Sequence, residues 1–312
     1  MRIGVVSNPL SRRNRKLLPA VEALLEPLGH VVYERLDDFG DLLPALQRLA
    51  DRAIEVLVIS GGDGTVSAAL TGIVEGGIFA EAPAIAILPG GTSNTIAADV
   101  GLHGEPLAAL SRLVQLTVVP PIESRSLIRV EYDRTKPAVC GMFFGTAAVC
   151  DAIALRRRLF PQRWLPDPIA AALTLGYVLG GAALGREGVL SGQRIRLNLG
   201  GNEVPARQYV LVIATTLSKI VLGGSPFWGP VDGPLKCTTI ASPARQLIRN
   251  VYRLLYGSDR ERLPASVYHS AAVERIELSM DCAFNLDGEF FHPGSDDPVV
   301  LTTTPPVRFV QL

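Results

Sequence analysis

The chain has 312 residues, 48% of them hydrophobic, and its 30 Lys plus Arg balance 30 Asp plus Glu for a formal net charge of +0. Such a length and apolar content exclude a disordered chain or a small stapled scaffold and allow two ordinary cores. A zero net charge gives no electrostatic ground for binding nucleic acid.

The first strand is Ile3 to Val6, reached with no apolar signal segment before it, so a cytoplasmic location is expected. Ser7-Asn8-Pro9 follows as a turn, and the basic group Arg12, Arg13, Arg15 and Lys16 reads either as a solvated face or as a nucleotide contact. Leu17, Leu18, Val21, Leu24, Leu25 and Leu28 share one helical face, Val31-Val32-Tyr33 reads as a strand, and Leu42, Leu43, Leu46 and Leu49 form a second helical face. Val56-Leu57-Val58-Ile59 is short and uncharged, as a strand buried in a parallel sheet would be. It runs into Gly61-Gly62-Asp63-Gly64-Thr65, after which Val66, Ala69, Leu70 and Ile73 recur at helical spacing. A glycine turn that delivers a strand to a helix N-terminus presents backbone N–H groups and the positive end of the helix dipole to an anion. Ala84-Ile85-Ala86-Ile87-Leu88 repeats the arrangement, with Pro89-Gly90-Gly91-Thr92-Ser93-Asn94 and a helix from Thr95-Ile96-Ala97-Ala98. Two such loops at neighbouring strand ends suit a polyphosphate. The spacing matches neither the Walker loop nor the dinucleotide fingerprint. Only Lys16, Lys136, Lys219 and Lys236 are lysines, so arginine or magnesium must neutralise the phosphates.

After Pro120-Pro121 the pattern changes to alternating strands: Leu127 to Tyr132, Arg194 to Leu199, Gln208 to Thr215 and Val273 to Ser279, with Gly200-Gly201-Asn202 as a hairpin turn. Between them, Pro168 to Gly185 holds eighteen residues without a charge, which fits a buried helix, an interfacial one or a short span. Arg156-Arg157-Arg158 with Arg163-Trp164 precedes that segment and suits an anionic bilayer surface. Arg245, Arg249 and Arg253 recur on one side of a later helix, which fits a solvated face equally well. Cys140, Cys150, Cys237 and Cys282 lack the close pairs of a zinc site or disulfide framework and are expected to be buried thiols of a reducing compartment. His30, His103, His269 and His292 show no metal spacing.

Taken in order, Ser7-Asn8-Pro9, Gly61 to Thr65, Gly91-Thr92-Ser93-Asn94, Gly223-Gly224, Asp232-Gly233 and Asp287-Gly288-Glu289 resemble the motifs of the diacylglycerol kinase, sphingosine kinase and ceramide kinase superfamily of lipid kinases. The resemblance implies an α/β nucleotide-binding domain, an open parallel sheet with helices, over residues 1–119 and about 290–312. It adds a mostly antiparallel, β-sandwich-like lipid domain over 120–289, and a C-terminal segment that returns to the first domain and brings Glu289 toward the nucleotide cleft.

By the same resemblance Asn8, Gly61, Gly62, Gly64, Thr65, Gly91, Thr92, Ser93 and Asn94 would hold ATP. Asp63 would sit by magnesium and the transferred group, Asp232 and Asp287 are further metal candidates, and Glu289 would take the proton from the lipid hydroxyl. Thr95 stands where many bacterial diacylglycerol kinases have Asp, which leans the acceptor toward a ceramide or sphingoid type over diacylglycerol. The expected protein is thus an ATP- and magnesium-dependent lipid kinase at the inner face of an anionic membrane. Two alternatives stay open: a soluble-substrate kinase such as an NAD kinase, to whose ribose-holding pair Asn202-Glu203 is similar, and a non-catalytic lipid-binding protein.

Overall fold

A computed structural model of the chain describes residues 1–11, 14–91, 94–160, 167–183, 188–218, 224–243, 247–257 and 259–312. The chain forms two compact units, Met1–Leu127 with Thr304–Leu312, and Ile128–Thr303.

The first unit contains β1 (Ile3–Ser7), α1 (Asn14–Leu25), β2 (Val31–Arg35), α2 (Leu42–Asp51), β3 (Val56–Gly61), α3 (Asp63–Val74), β4 (Ala84–Pro89), α4 (Thr95–Val100), α5 (Pro106–Val114) and β5 (Ile122–Arg125), and receives β17 (Val307–Val310) from the far end of the chain. Every residue of β1 and β3 is buried, as two-sided Val, Ile and Leu strands require. The sheet order is β2-β1-β3-β4-β17-β5. β1 to β4 pair in parallel, β17 joins β4 in parallel at Phe309↔Ile85, and β5 closes the edge antiparallel to β17. The C-terminal segment thus returns to the first unit, but from Thr304 and not from about residue 290, because Val299–Thr303 pairs in the sheet of the second unit.

Ile3, Val5, Val56, Val58, Ala84 and Ala86 pack with Val21 and Leu25 of α1 and with Leu110 and Leu113 of α5 on one face. Each fully buried side chain of Val or Leu size contributes about 1.5–3 kcal/mol. The helices α2 and α3 pack against each other and against β1 and β3 outside that cluster. Helices thus leave the sheet on opposite faces beside β1 and β3, and an order of 2-1-3-4 puts a topological switch point between those two strands.

The second unit contains β6 (Ile128–Glu131), β7 (Val139–Gly141), β8 (Phe143–Ala147), α6 (Ala148–Leu159), α7 (Asp167–Ala183), β9 (Gln193–Leu199), β10 (Asn202–Thr215), β11 (Leu235–Ala241), α8 (Leu247–Tyr256), β12 (Tyr268–Val273), β13 (Ile276–Ser279), β14 (Phe284–Leu286), β15 (Glu289–Phe291) and β16 (Val299–Thr303). Its strands form one antiparallel sheet, β15-β14-β8-β10-β9-β13-β16-β6-β7, with β11 and β12 branching from β10. Alternate residues face a single core: Ile195, Leu197 and Leu199 of β9, Ile276 and Leu278 of β13, Phe284 and Leu286 of β14, and Val299 and Leu301 of β16. The sheet curls until its ends meet. Tyr132, just past β6, lies edge-on to Phe284 of β14 at 5.6 Å and to Phe291 of β15 at 5.4 Å. The expected mostly antiparallel unit is present, its facing layers being two parts of one curled sheet.

Gly200 and Gly201, both at positive φ, make the β9–β10 hairpin, with Leu199 paired to Asn202 across it. The run Val273 to Ser279, expected as one strand, is broken at Glu274-Arg275. β12 pairs with β11, whereas β13 pairs with β9 and β16, so the chain changes partners there. Leu184, Gly185, Arg245 and Gly223 lie outside the described residues. Among the described residues no helix is long and apolar enough to cross a membrane. Cys140, Cys150 and Cys237 are buried, as expected, and Cys282 is half-buried.

Candidate functional site

In the first unit the ends of β1, β3 and β4 lie side by side, and polar side chains tie them together. Asn8 donates its backbone N–H to Ser60 O at 2.9 Å and its side-chain amide to Thr65 Oγ1 at 2.9 Å. Asn14, only 2% exposed, donates to Ser60 O (2.6 Å) and Asn8 O (3.0 Å) and accepts from Ser60 Oγ (3.0 Å). One buried amide therefore fixes the exits of β1 and β3. Ser11 Oγ accepts from Gly62 N at 3.2 Å, and Gly90 N donates to Gly61 O at 2.8 Å.

The two glycine loops touch backbone to backbone. A Cβ on Gly91 would stand 2.5 Å from Gly62 Cα, and one on Gly62 would stand 3.2 Å from Gly91 Cα, so only glycine fits this approach. Asp63 opens α3 and reaches across the loops: its carboxylate accepts from Thr95 N at 3.1 Å and Ile96 N at 3.4 Å, the first amides of α4. Anionic charge is favourable at that helix start. Asn94, in the left-handed region at φ +50°, accepts from Gly91 N at 2.9 Å and shapes the second loop. The first helical bond of α3 is Val66 N to Gly62 O at 3.1 Å, so the N–H groups of Asp63, Gly64 and Thr65 precede it. Asn8, Gly61, Gly62, Asp63, Gly64, Thr65, Gly91 and Asn94 are thus gathered at the strand ends beside the switch point. Thr92 and Ser93 lie outside the described residues.

In the second unit Asp287 (φ +49°) and Gly288 (φ +98°) form a two-residue turn between β14 and β15, with Leu286 paired to Glu289. The buried Asp287 carboxylate accepts from Met142 N and Phe143 N, each at 2.9 Å. Asn285 accepts from Gly288 N and donates to Glu289 O, both at 3.0 Å. Arg157, in the last turn of α6, donates to Gly288 O at 3.0 Å and lies over the Phe290 ring at 5.0 Å. The exposed Glu289 side chain therefore projects from a hairpin braced on several sides. Asp232 is exposed and held through its backbone N–H to Ala272 O at 2.8 Å. Arg156 and Arg158 share the last turn of α6 with Arg157, while Arg163 and Trp164 lie outside the described residues.

Sequence reasoning did not find Asn14, Ser11, Ser60 or Asn285, nor the bracing role of Arg157. Asn14 carries a weak signal, an amide opening a leucine-rich helix just after an Asn-Pro turn.

The chain thus combines an α/β unit, with paired glycine loops at its switch point, and a curled antiparallel unit. Residues 2–120 match the family of the diacylglycerol kinase catalytic domain, which the sequence motifs also resemble. A protein of Stenotrophomonas maltophilia (strain K279a), named "Probable lipid kinase YegS-like", is 33% identical over 98 residues, 31% of this chain and 30% of that protein. A protein of the same name from Enterobacter sp. (strain 638) is 29% identical over 116 residues, 37% of each chain. The matched stretch spans about a third of these curated relatives. In fold, the chain resembles a diacylglycerol kinase from Bacillus anthracis str. Sterne over 99% of its length and 96% of the other, with a TM-score of 0.63 at 15% identity. Yeast NADH kinase complexed with NADH is a more distant likeness, with a TM-score of 0.51 at 8% identity over 100% of this chain and 84% of that one.

Proposed function

We propose that the protein is an ATP-dependent lipid kinase that phosphorylates a hydroxyl of a neutral membrane lipid, of ceramide or sphingoid type or a diacylglycerol. The observation that carries this reading is the contact of Gly62 with Gly91 under the Asp63 carboxylate, which sets two strand-end loops and two helix starts around one point. Loop and helix N–H groups, with Asn8 and Thr65, would take the phosphates of ATP. Thr92 and Ser93 complete the proposed set.

Among the described residues no three His, Cys, Asp or Glu side chains converge as a metal-binding group. That donor set suits a magnesium ion held largely by phosphate oxygens and water, with Asp63 as its protein carboxylate; bound so, it would neutralise charge on the phosphates. Asp232 and Asp287 remain proposed metal neighbours. In Asp287 the amides of Met142 and Phe143 already engage both oxygens.

In the reaction the acceptor oxygen bonds to the γ-phosphorus as the β–γ bridging bond breaks and ADP departs with that electron pair. Glu289 is the proposed base that receives the hydroxyl proton. Its brace of Asn285, Asp287 and Arg157 supports this role, because positioning supplies much of such catalysis. Arg156, Arg157 and Arg158 are the proposed contact with an anionic cytoplasmic leaflet. The two-glycine hairpin ahead of Asn202-Glu203 weakens the NAD kinase alternative, since that pair there opens β10 and pairs with Leu199 and Asn198 of β9.

Labelled ATP offered with ceramide, sphingosine, diacylglycerol and NAD tests the reading. Transfer to at least one lipid and none to NAD is expected, and Glu289→Gln is expected to lower kcat by roughly 10²–10⁴-fold. Full turnover in folded Asp63→Ala and Glu289→Gln variants would remove the residue roles. A panel with no product would favour a lipid-binding protein.

A further inference from the structure

The helix α7 carries one charge, Asp167 at its first position, and is otherwise built of apolar and small residues. A helix that is apolar all round is normally buried all round. This one is not. Ala170 and Thr174 are buried at 2% and 4% exposure, whereas Ile169, Leu173 and Tyr177 are 49%, 50% and 59% exposed. Spaced four apart, these three lie in one line along the helix, flanked by the exposed small residues Ala172, Gly176 and Gly180. The Thr174 hydroxyl is on the buried side and donates to Ala170 O at 2.7 Å. The open face thus presents apolar surface without a formal charge, with the Tyr177 ring near its far end. A face held in water by its own sequence would carry charges at several of these positions.

Length limits what can cover this face. Among the described residues, the seventeen of α7 make a helix of about 25 Å, short of the ~30 Å hydrocarbon core of a bilayer. Charge narrows it further. The helix α6 packs against α7 and ends in Arg156, Arg157 and Arg158, with Leu159 also 40% exposed. Among the described residues Arg157 meets a carbonyl and an aromatic ring, neither of which carries a negative charge. An apolar strip on a helix packed against one that ends in a basic triplet complements an anionic lipid surface. A second copy of the chain, docked strip to strip about a two-fold axis, would bring two basic triplets toward each other.

We propose that the Ile169–Leu173–Tyr177 face of α7 lies in the plane of an anionic bilayer interface, with the arginine end of α6 at the headgroups. The aliphatic pair enters the acyl boundary, and Tyr177 sits at the headgroup level where an amphipathic ring is favoured. This extends the lipid-kinase reading, which supplies the reason to visit a membrane, but binding can be measured without turnover.

The test is co-sedimentation of the whole chain with vesicles of phosphatidylcholine alone or mixed with phosphatidylserine, for the native protein and for Ile169→Ser/Leu173→Ser/Tyr177→Ser. The native protein is expected to partition onto the mixed vesicles and less onto the neutral ones, and the variant to lose roughly tenfold or more. Matched circular dichroism and thermal midpoints show that the variant is folded. An Ile169→Leu/Leu173→Ile control, which keeps the apolar surface, is expected to bind as the native protein does. The proposal is overturned by equal partition of native and serine variants, by a native protein that ignores both vesicles, or by a native dimer that the serine variant converts to monomer. Turnover on a monomeric short-chain acceptor reports separately on the kinase reading: loss of vesicle binding with turnover intact supports the docking face, and binding without turnover on any acceptor removes the kinase role alone.

Discussion

Each unit carries an Asp-Gly pair whose carboxylate accepts two backbone N–H groups, and the two pairs act differently. Asp63 begins a helix and takes the amides of Thr95 and Ile96, so it spans two loops that a ligand would share. Asp287 sits at positive φ in a hairpin turn and takes Met142 and Phe143, so it pins that turn to the neighbouring strand and leaves Glu289 outside. In the first unit the acid itself lies at the candidate site. In the second it is scaffolding for the residue two places on. The same dipeptide is therefore a poor guide to role until its φ angles and amide partners are known.

The sharpest way to break this comparison is at the loop contact. Gly91→Ala forces a Cβ against Gly62 Cα, where both partners are backbone and neither can rotate away. We expect ATP turnover to fall roughly 100-fold, as a displacement near 1 Å at a positioning element does, measured by initial rates with saturating acceptor. Gly201→Ala is the contrasting change. Gly201 has φ +88° with nothing within 4 Å of an added Cβ, so backbone strain alone costs about 1–2 kcal/mol with little effect on kcat.

The next effect is expected at Asn14. Asn14→Leu removes two donated bonds and one accepted bond: Ser60 O and Asn8 O keep only the backbone N–H groups of Asn8 and Ser11, and the buried Ser60 hydroxyl loses its acceptor. A loss of about 2–3 kcal/mol is expected in urea unfolding, together with weaker nucleotide affinity. A variant with native stability would mean that Asn14 does not tie the strand exits.

Smaller again is the effect of Arg157→Met, which deletes the bond to Gly288 O and the cation over Phe290 while keeping the side-chain length. Stability should change by about 1 kcal/mol or less, because the group is exposed. If the brace positions Glu289, kcat falls several-fold on a soluble acceptor while KM for ATP stays put. A variant that loses only vesicle binding would assign Arg157 to the membrane alone.

What the sequence made legible follows from how local each feature is. β1, β3 and β4 are uncharged runs punctuated by glycine, so their burial, direction and loop chemistry are written within a few residues of one another. The eleven-stranded curl is not local. It depends on Tyr132 meeting Phe284 and Phe291 from the opposite end of the sheet, and no spacing rule relates those positions. The break at Glu274-Arg275 was hidden for the same reason, since a continuous β pattern does not say that its two halves pair with different strands. At the site the glycines, Asn8, Asp63 and Asn94 were found as motif members. Asn14 and Asn285 were missed because a buried amide earns its place through carbonyls that only the fold brings near.

The pH dependence offers the finest separation of local from distant effects. Hydrogen bonds from the Thr135 hydroxyl, then from Thr135 N and Lys136, hold the Asp133 carboxyl down at about 2, below its ordinary 3.8. A depressed carboxylate stabilises the fold fully above its unfolded value, and that contribution disappears as pH falls from about 4 through 2. At the other extreme, burial pushes the Cys150 and Cys237 thiols up to about 12 from 9.0. Keeping those thiols neutral favours the fold fully below about 9 and does so less as pH climbs toward 12. Native protein at about pH 8 should therefore resist iodoacetamide at Cys150 and Cys237, and urea should expose both, as read by mass spectrometry. In acid, Asp133→Asn should flatten the fall in unfolding free energy between about pH 4 and pH 2, while Gly91→Ala should leave that slope unchanged. A slope that responds to the glycine and not to Asp133 would place the acid-sensitive interaction in the first unit.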